Sequence, residues 1–137
     1  MKTKKQILTP RQAVEIAQKM LLDKFKEHFI VILTDSRRQL ISAEIVSIGT
    51  LDASLVHPRE VFRPAIVKHC SSILILHNHP SGEIDPSEQD NKVTARLIKA
   101  GEILGIELTD HIIFTSGEKY SSMVADGNFT SLKMKNY

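Results

Sequence analysis

Cysteine is almost missing from this chain. Cys70 is the only one among 137 residues, so no internal disulfide can form, and the chain reads as a protein of a reducing, cytoplasmic compartment. Long apolar runs are also missing. The longest strictly apolar stretch, Phe29 to Leu33, is far too short to cross a bilayer, and the basic start Met1 to Lys5 is not followed by an apolar signal core. There is no Gly-rich phosphate loop, no internal repeat and no low-complexity segment. Basic stretches interleaved with aromatics are lacking too, which argues against a strong single-strand nucleic-acid binder. The lysines that gather at the two ends (Lys2, Lys4, Lys5, Lys133 and Lys135) are thin support for nucleic-acid association in a chain of formal charge +2. What is present is ordinary for one globular domain: 42% hydrophobic and 25% charged residues, enough to bury a core without covalent staples.

The chain is organised around the stretch from His77 to Asp90. Ser72 to Leu76 is short, apolar and β-branched, and reads as a buried strand; Val93, Leu97, Ala100 and Leu104 recur at helical spacing. The motif therefore leaves a strand at its C-terminal end, crosses a loop punctuated by Pro80, Gly82 and Pro86, and enters a helix. Side chains two apart on a strand share a face, so His77 and His79 can aim two imidazoles at one point. If the loop folds back, Asp90 in the first helical turn can add a carboxylate. Two neutral nitrogens and one carboxylate suit zinc, with a fourth position open to water. A plainer reading stands beside this one. Ser87 and Asp90 also fit a helix capping box, and a histidine pair can be polar decoration at a strand end.

Elsewhere, Thr9-Pro10 reads as the start of a helix running to about Leu22. Phe29 to Thr34 and Leu40 to Ile48 read as a hairpin, the first strand apolar enough to be buried on both faces. Glu44 stands between Ala43 and Ile45 in the second strand; by itself it is best placed on the solvent face. A helix opens at Pro58, with Pro64 predicting a kink or a later start. Cys70 has an inward-facing spacing and reads as structural. Gly105 stops the long helix, Ile106 to Thr115 is a strand, Lys119 to Val124 is a short edge strand, and Phe129 to Tyr137 reads as a loose tail.

The residues His77-x-His79-Pro80, Gly82 and Pro86-Ser87-x-x-Asp90 resemble the signature of JAMM/MPN metalloproteases. The narrower form His77-Asn78-His79-Pro80-Ser81-Gly82 resembles the RadC family. Gly49-Thr50-Leu51, Pro58-Arg59-Glu60-Val61 and Asp110-His111-Ile112-Ile113 resemble further RadC blocks in the expected order. The resemblance spans roughly residues 8 to 125. It implies an α/β fold of JAMM/MPN (cytidine deaminase-like) architecture, a mixed sheet flanked by about three helices. The division expected is a tail and packing helix over 1–24, the RadC-like domain over 25–127 and a C-terminal tail over 128–137. Longer RadC proteins carry an N-terminal helix-hairpin-helix module, so this chain reads as the catalytic-type domain alone.

The resemblance implies a zinc ion on His77, His79 and Asp90, Glu44 as general base, and Ser87 as oxyanion donor, acting on a peptide or protein substrate. Zinc lowers the pKa of water it binds from about 15.7 to about 7, on the order of 12 kcal/mol easier deprotonation. A metal-binding, non-proteolytic accessory of DNA repair or recombination is the alternative. No role is implied for His57 or Arg59, and His111 reads as a hydrogen-bonded structural histidine.

Overall fold

A computed structural model describes residues 5–134; Lys2, Lys4 and Lys135 of the basic ends lie outside them. The elements run α1 (Pro10–Met20), β1 (His28–Thr34), β2 (Leu40–Ile48), α2 (Pro58–Val67), β3 (Ser72–Asn78), α3 (Glu88–Leu104), β4 (Glu107–Phe114), β5 (Tyr120–Ser122) and α4 (Asn128–Lys133). The five strands form one mixed sheet in the order β2-β1-β3-β4-β5. Only β3 and β4 are parallel, joined through α3; the other pairs are antiparallel.

The sheet is covered on both faces, which explains why β1 and β3 are apolar along their length. Phe29, Val31, Leu33, Ile73 and Ile75 face α2, α3 and α4, where they meet Phe62, Val93, Leu97 and Phe129. Ile30, Ile32, Leu74 and Leu76 face α1, against Ala13, Val14 and Ala17. Each fully buried side chain of this size contributes roughly 1.5–3 kcal/mol. The period-2 alternation of β3 therefore decides which layer each of its residues meets.

Local signals hold where they are short in range. Thr9 caps α1 in a capping box with Gln12, and Pro10 occupies the first turn. Gly105 ends α3 in the left-handed conformation, its N–H bonded to the Gly101 carbonyl. α2 begins at Pro58 and runs through Pro64, so the later start does not occur. Pro64 removes one ladder bond, a loss offset by burial of Val61, Phe62 and Ala65. Residues 128–133 are not a loose tail but a short helix: Phe129 and Leu132 are buried against the α3 layer, and apolar contact orders a segment whose local pattern is weak. No helix among the described residues is long and apolar enough to cross a membrane.

Candidate metal centre

At the C-terminal end of β3 the strand's alternation sends His77 toward α3 and Asn78 toward the opposite layer. α3 returns Asp90 to the same point because Ser87 caps it: the Ser87 hydroxyl accepts the Asp90 N–H at 3.1 Å, and Asp90 Oδ2 accepts both the Ser87 N–H and its O–H at 2.8 Å. The capping and clustering roles of Asp90 thus coexist. Its Oδ1 lies 2.8 Å from His77 Nδ1 and its Oδ2 3.1 Å from His79 Nε2. Burial pushes the Asp90 carboxyl upward, but the hydrogen bonds of His77 and His79 outweigh it and hold the group well below the usual carboxylate range. The hydrogen bond to Asp90 raises His79 above the ordinary imidazole value.

Glu27 completes the cluster. It sits one residue before β1, and β1 runs antiparallel to β3 with Phe29 opposite His77. Glu27 Oε1 lies 3.6 Å from His77 Nε2, while its Oε2 accepts the Leu51 N–H at 3.0 Å. The loop that carries Leu51 is in turn tied to α3, since Ala53 donates to Gln89 Oε1 and accepts from Arg96. Donor atoms of Glu27, His77 and His79 all lie within 4.8 Å of one another. These three residues and Ser87 line a solvent-open cleft of about 780 Å³, with Phe25, Ile48 and Pro80 on its walls.

Glu44 is not part of this cluster, which corrects its expected role as base. It pairs with Val31, which pairs with Ile75, whereas His77 lies two residues further along and opposite Phe29. Two strand spacings across and two residues along amount to roughly 12 Å. Glu44 instead lines a separate groove with Arg63, Pro64, Val67 and Lys68, half-buried under α2 rather than on an open face. Sequence reasoning missed Glu27 because it precedes the strand instead of interrupting it. The available signal was a carboxylate at the entrance of the strand that pairs with the histidine strand.

His111 is buried in β4 behind Asp90. Its Nδ1 lies 2.5 Å from Thr94 Oγ1 and its Nε2 is 3.7 Å from Asp90 Oδ1 without a hydrogen bond. Burial lowers it to about 4, so it is neutral at neutral pH. His57 precedes α2 without capping it through its side chain, and Arg59 is exposed beside Glu60; neither approaches the cleft lining.

The donor set fits a divalent transition metal. His77 Nε2 is buried and has no hydrogen-bond partner, though it stands 3.6 Å from Glu27 Oε1. His79 Nδ1 lies 2.9 Å from the Glu83 carbonyl, the outer hydrogen bond that orients a ligating imidazole and leaves Nε2 for a metal.

A domain with this mixed sheet and an imidazole–carboxylate cluster beside the parallel crossover is of the JAB type. The family model described as the RadC-like JAB domain matches residues 7–128, and the chain belongs to that family. JAB domains include metal-dependent hydrolases. Among curated relatives, a UPF0758 protein of Rubrobacter xylanophilus is 50% identical over 74% of this chain and 44% of its own length. One of Clostridioides difficile is 53% identical over 70% of this chain and 41% of its own. One of Methanosarcina acetivorans is 39% identical over 95% and 52%, respectively. The chain spans about half the length of the curated relatives it matches.

Proposed function

We propose that this chain is a zinc-dependent hydrolase of amide or isopeptide bonds in a peptide or protein substrate. The observation that carries the reading is the convergence of Glu27, His77 and His79 on an open cleft, with Asp90 buried behind the two histidines and bonded to both. His77, His79 and Asp90 would hold the metal. When bound, zinc supplies polarisation of a water molecule and of the scissile carbonyl.

Exposure separates the two carboxylates. Asp90 is sealed from solvent, so it cannot touch a substrate; the Glu27 side chain is 26% exposed and opens onto the cleft. With Oε2 occupied by Leu51, Oε1 is the atom free to take a proton from the attacking water and return it to the leaving amine. Ser87 lines the same cleft, and its O–H, turned from Asp90 Oδ2, would donate to the oxyanion. Phe25 and Ile48 offer apolar walls to an extended chain. An association with nucleic acid is not favoured here, since Lys26 is the one lysine or arginine on the cleft lining and Glu27 stands beside it.

One observation supports the reverse assignment of the carboxylates. His77 turns Nδ1 to Asp90 and its unpartnered Nε2 to Glu27, as it would if Glu27 were the third ligand and Asp90 the orienting group. Zinc analysis with hydrolysis of a peptide library, for wild type and Glu27→Gln, tests both. Zinc retained with hydrolysis lost supports Glu27 as base. Zinc lost reverses the assignment, and a wild type that takes up no zinc overturns the hydrolase reading.

A further inference from the structure

The middle residue of His77-Asn78-His79 faces away from the cluster and has no part in the chemistry above. It is nonetheless 2% exposed, and both arms of its carboxamide are engaged. Oδ1 accepts the His28 N–H at 2.5 Å, and Nδ2 donates to the Lys26 carbonyl at 2.9 Å. Those two backbone groups flank Glu27.

The ladder between β1 and β3 ends at the pair Phe29–His77. Beyond it, the chain before β1 has no backbone partner on β3, the side from which the histidines come. A side-chain amide carries the same donor and acceptor as a peptide group. Asn78 therefore extends the ladder by one step with its side chain.

Three further bonds close the frame. His28 Nδ1 donates to the same Lys26 carbonyl at 2.8 Å while its Nε2 accepts the Leu22 N–H at 3.2 Å. The Glu27 carbonyl accepts the Gly49 N–H at 2.8 Å. Only the Glu27 side chain is left to extend, toward Leu51 and His77.

From this geometry we infer that Asn78 is a positioning residue: its carboxamide clamps the backbone on both sides of Glu27 and so sets Glu27 Oε1 against the histidine pair. The role rests on Glu27 acting at the metal centre, but the clamp can be read without metal or substrate. Replacing Asn78 by Ala removes both bonds; Asn78→Asp keeps the acceptor and removes the donor.

The reporter is the Leu51 amide, whose hydrogen bond ends on the Glu27 carboxylate. Hydrogen exchange followed by NMR on the whole chain should show Leu51 exchanging at least about tenfold faster in Asn78→Ala, as in Glu27→Ala, while amides of Ile30 to Leu33 keep their protection. In the cobalt-loaded protein at fixed pH, Asn78→Ala should change the visible spectrum in the same sense as Glu27→Gln, with cobalt stoichiometry unchanged. A purely structural asparagine would lower thermal stability and leave both signals alone; that result overturns the inference. Should Asn78→Ala fail to fold, Asn78→Asp decides by the same Leu51 signal. A wild type that takes up no cobalt defeats the metal reading, and Leu51 exchange still judges the clamp.

Discussion

Glu27 Oε1 stands 3.6 Å from His77 Nε2, and neither atom has a hydrogen bond to the other. Both residues line the same open cleft, so the carboxylate stands within reach of the histidine pair, whereas Glu44 lines a different groove. From this follows the expected contrast between two glutamates. Glu27→Gln keeps shape and removes basicity, so zinc stays bound while turnover falls about 10²- to 10⁴-fold. Glu44→Gln, in its separate groove, leaves turnover within about twofold. Steady-state assays on one cleaved peptide check both. Equal losses in the two variants would refute the placement of the base.

The ligand and capping roles of the α3 start can be separated. His77→Ala, His79→Ala and Asp90→Ala should each emerge from dialysis with little or no zinc by elemental analysis. Ser87→Ala should retain zinc but lose the cap on the Asp90 N–H, at a cost of about 1 kcal/mol in urea unfolding with chelator present. Loss of zinc in Ser87→Ala would mean that the cap, and not Asp90 ligation, secures the metal.

His111 gives the fold an acid limit. Its folded pKa, about 4, lies below the unfolded value near 6.5, so the unfolded chain takes up the proton first as pH falls. Stability is therefore undiminished above about 6.5 and declines through the window down to 4, by roughly 3 kcal/mol in all. Asp90, held low, adds a loss in the same direction further into acid, below the ordinary carboxylate pKa. His79 has the opposite sign: its raised value contributes stability below about 6.5 that is lost as pH rises through its folded pKa. Urea unfolding with chelator at pH 7.0 and at about pH 4.5 checks this. His111→Gln should flatten the decline, and a variant that retains it would show that His111 is not its source.

Gly101 lies where the end of α3 meets the chain entering β4. A Cβ built on it would overlap the Ile106 carbonyl oxygen and touch the Phe62 ring. Gly101→Ala should lower the urea midpoint by the equivalent of about 1–3 kcal/mol without altering zinc content. A neutral result would mean that the α3–β4 turn yields easily.

The histidine pair, the capping box and the burial of β1 and β3 were legible in the sequence because each is local. Alternation at the end of β3, continued one residue past it by the bond from the His79 N–H to the Phe114 carbonyl, puts His77 and His79 together, and one helical turn joins Ser87 to Asp90. The caps at Thr9 and Gly105 are local in the same way. Glu27 was not legible. Its place depends on β1 lying between β2 and β3, a choice of long-range pairing that no local period records. The same strand order that brings Glu27 to His77 carries Glu44 to the sheet's edge strand, two strand spacings from the histidine strand, although Glu44 is the more conspicuous residue in the chain. Phe129 and Leu132 follow the same rule: their segment forms a helix because α3 offers an apolar face to bury them, which only the assembled layers provide.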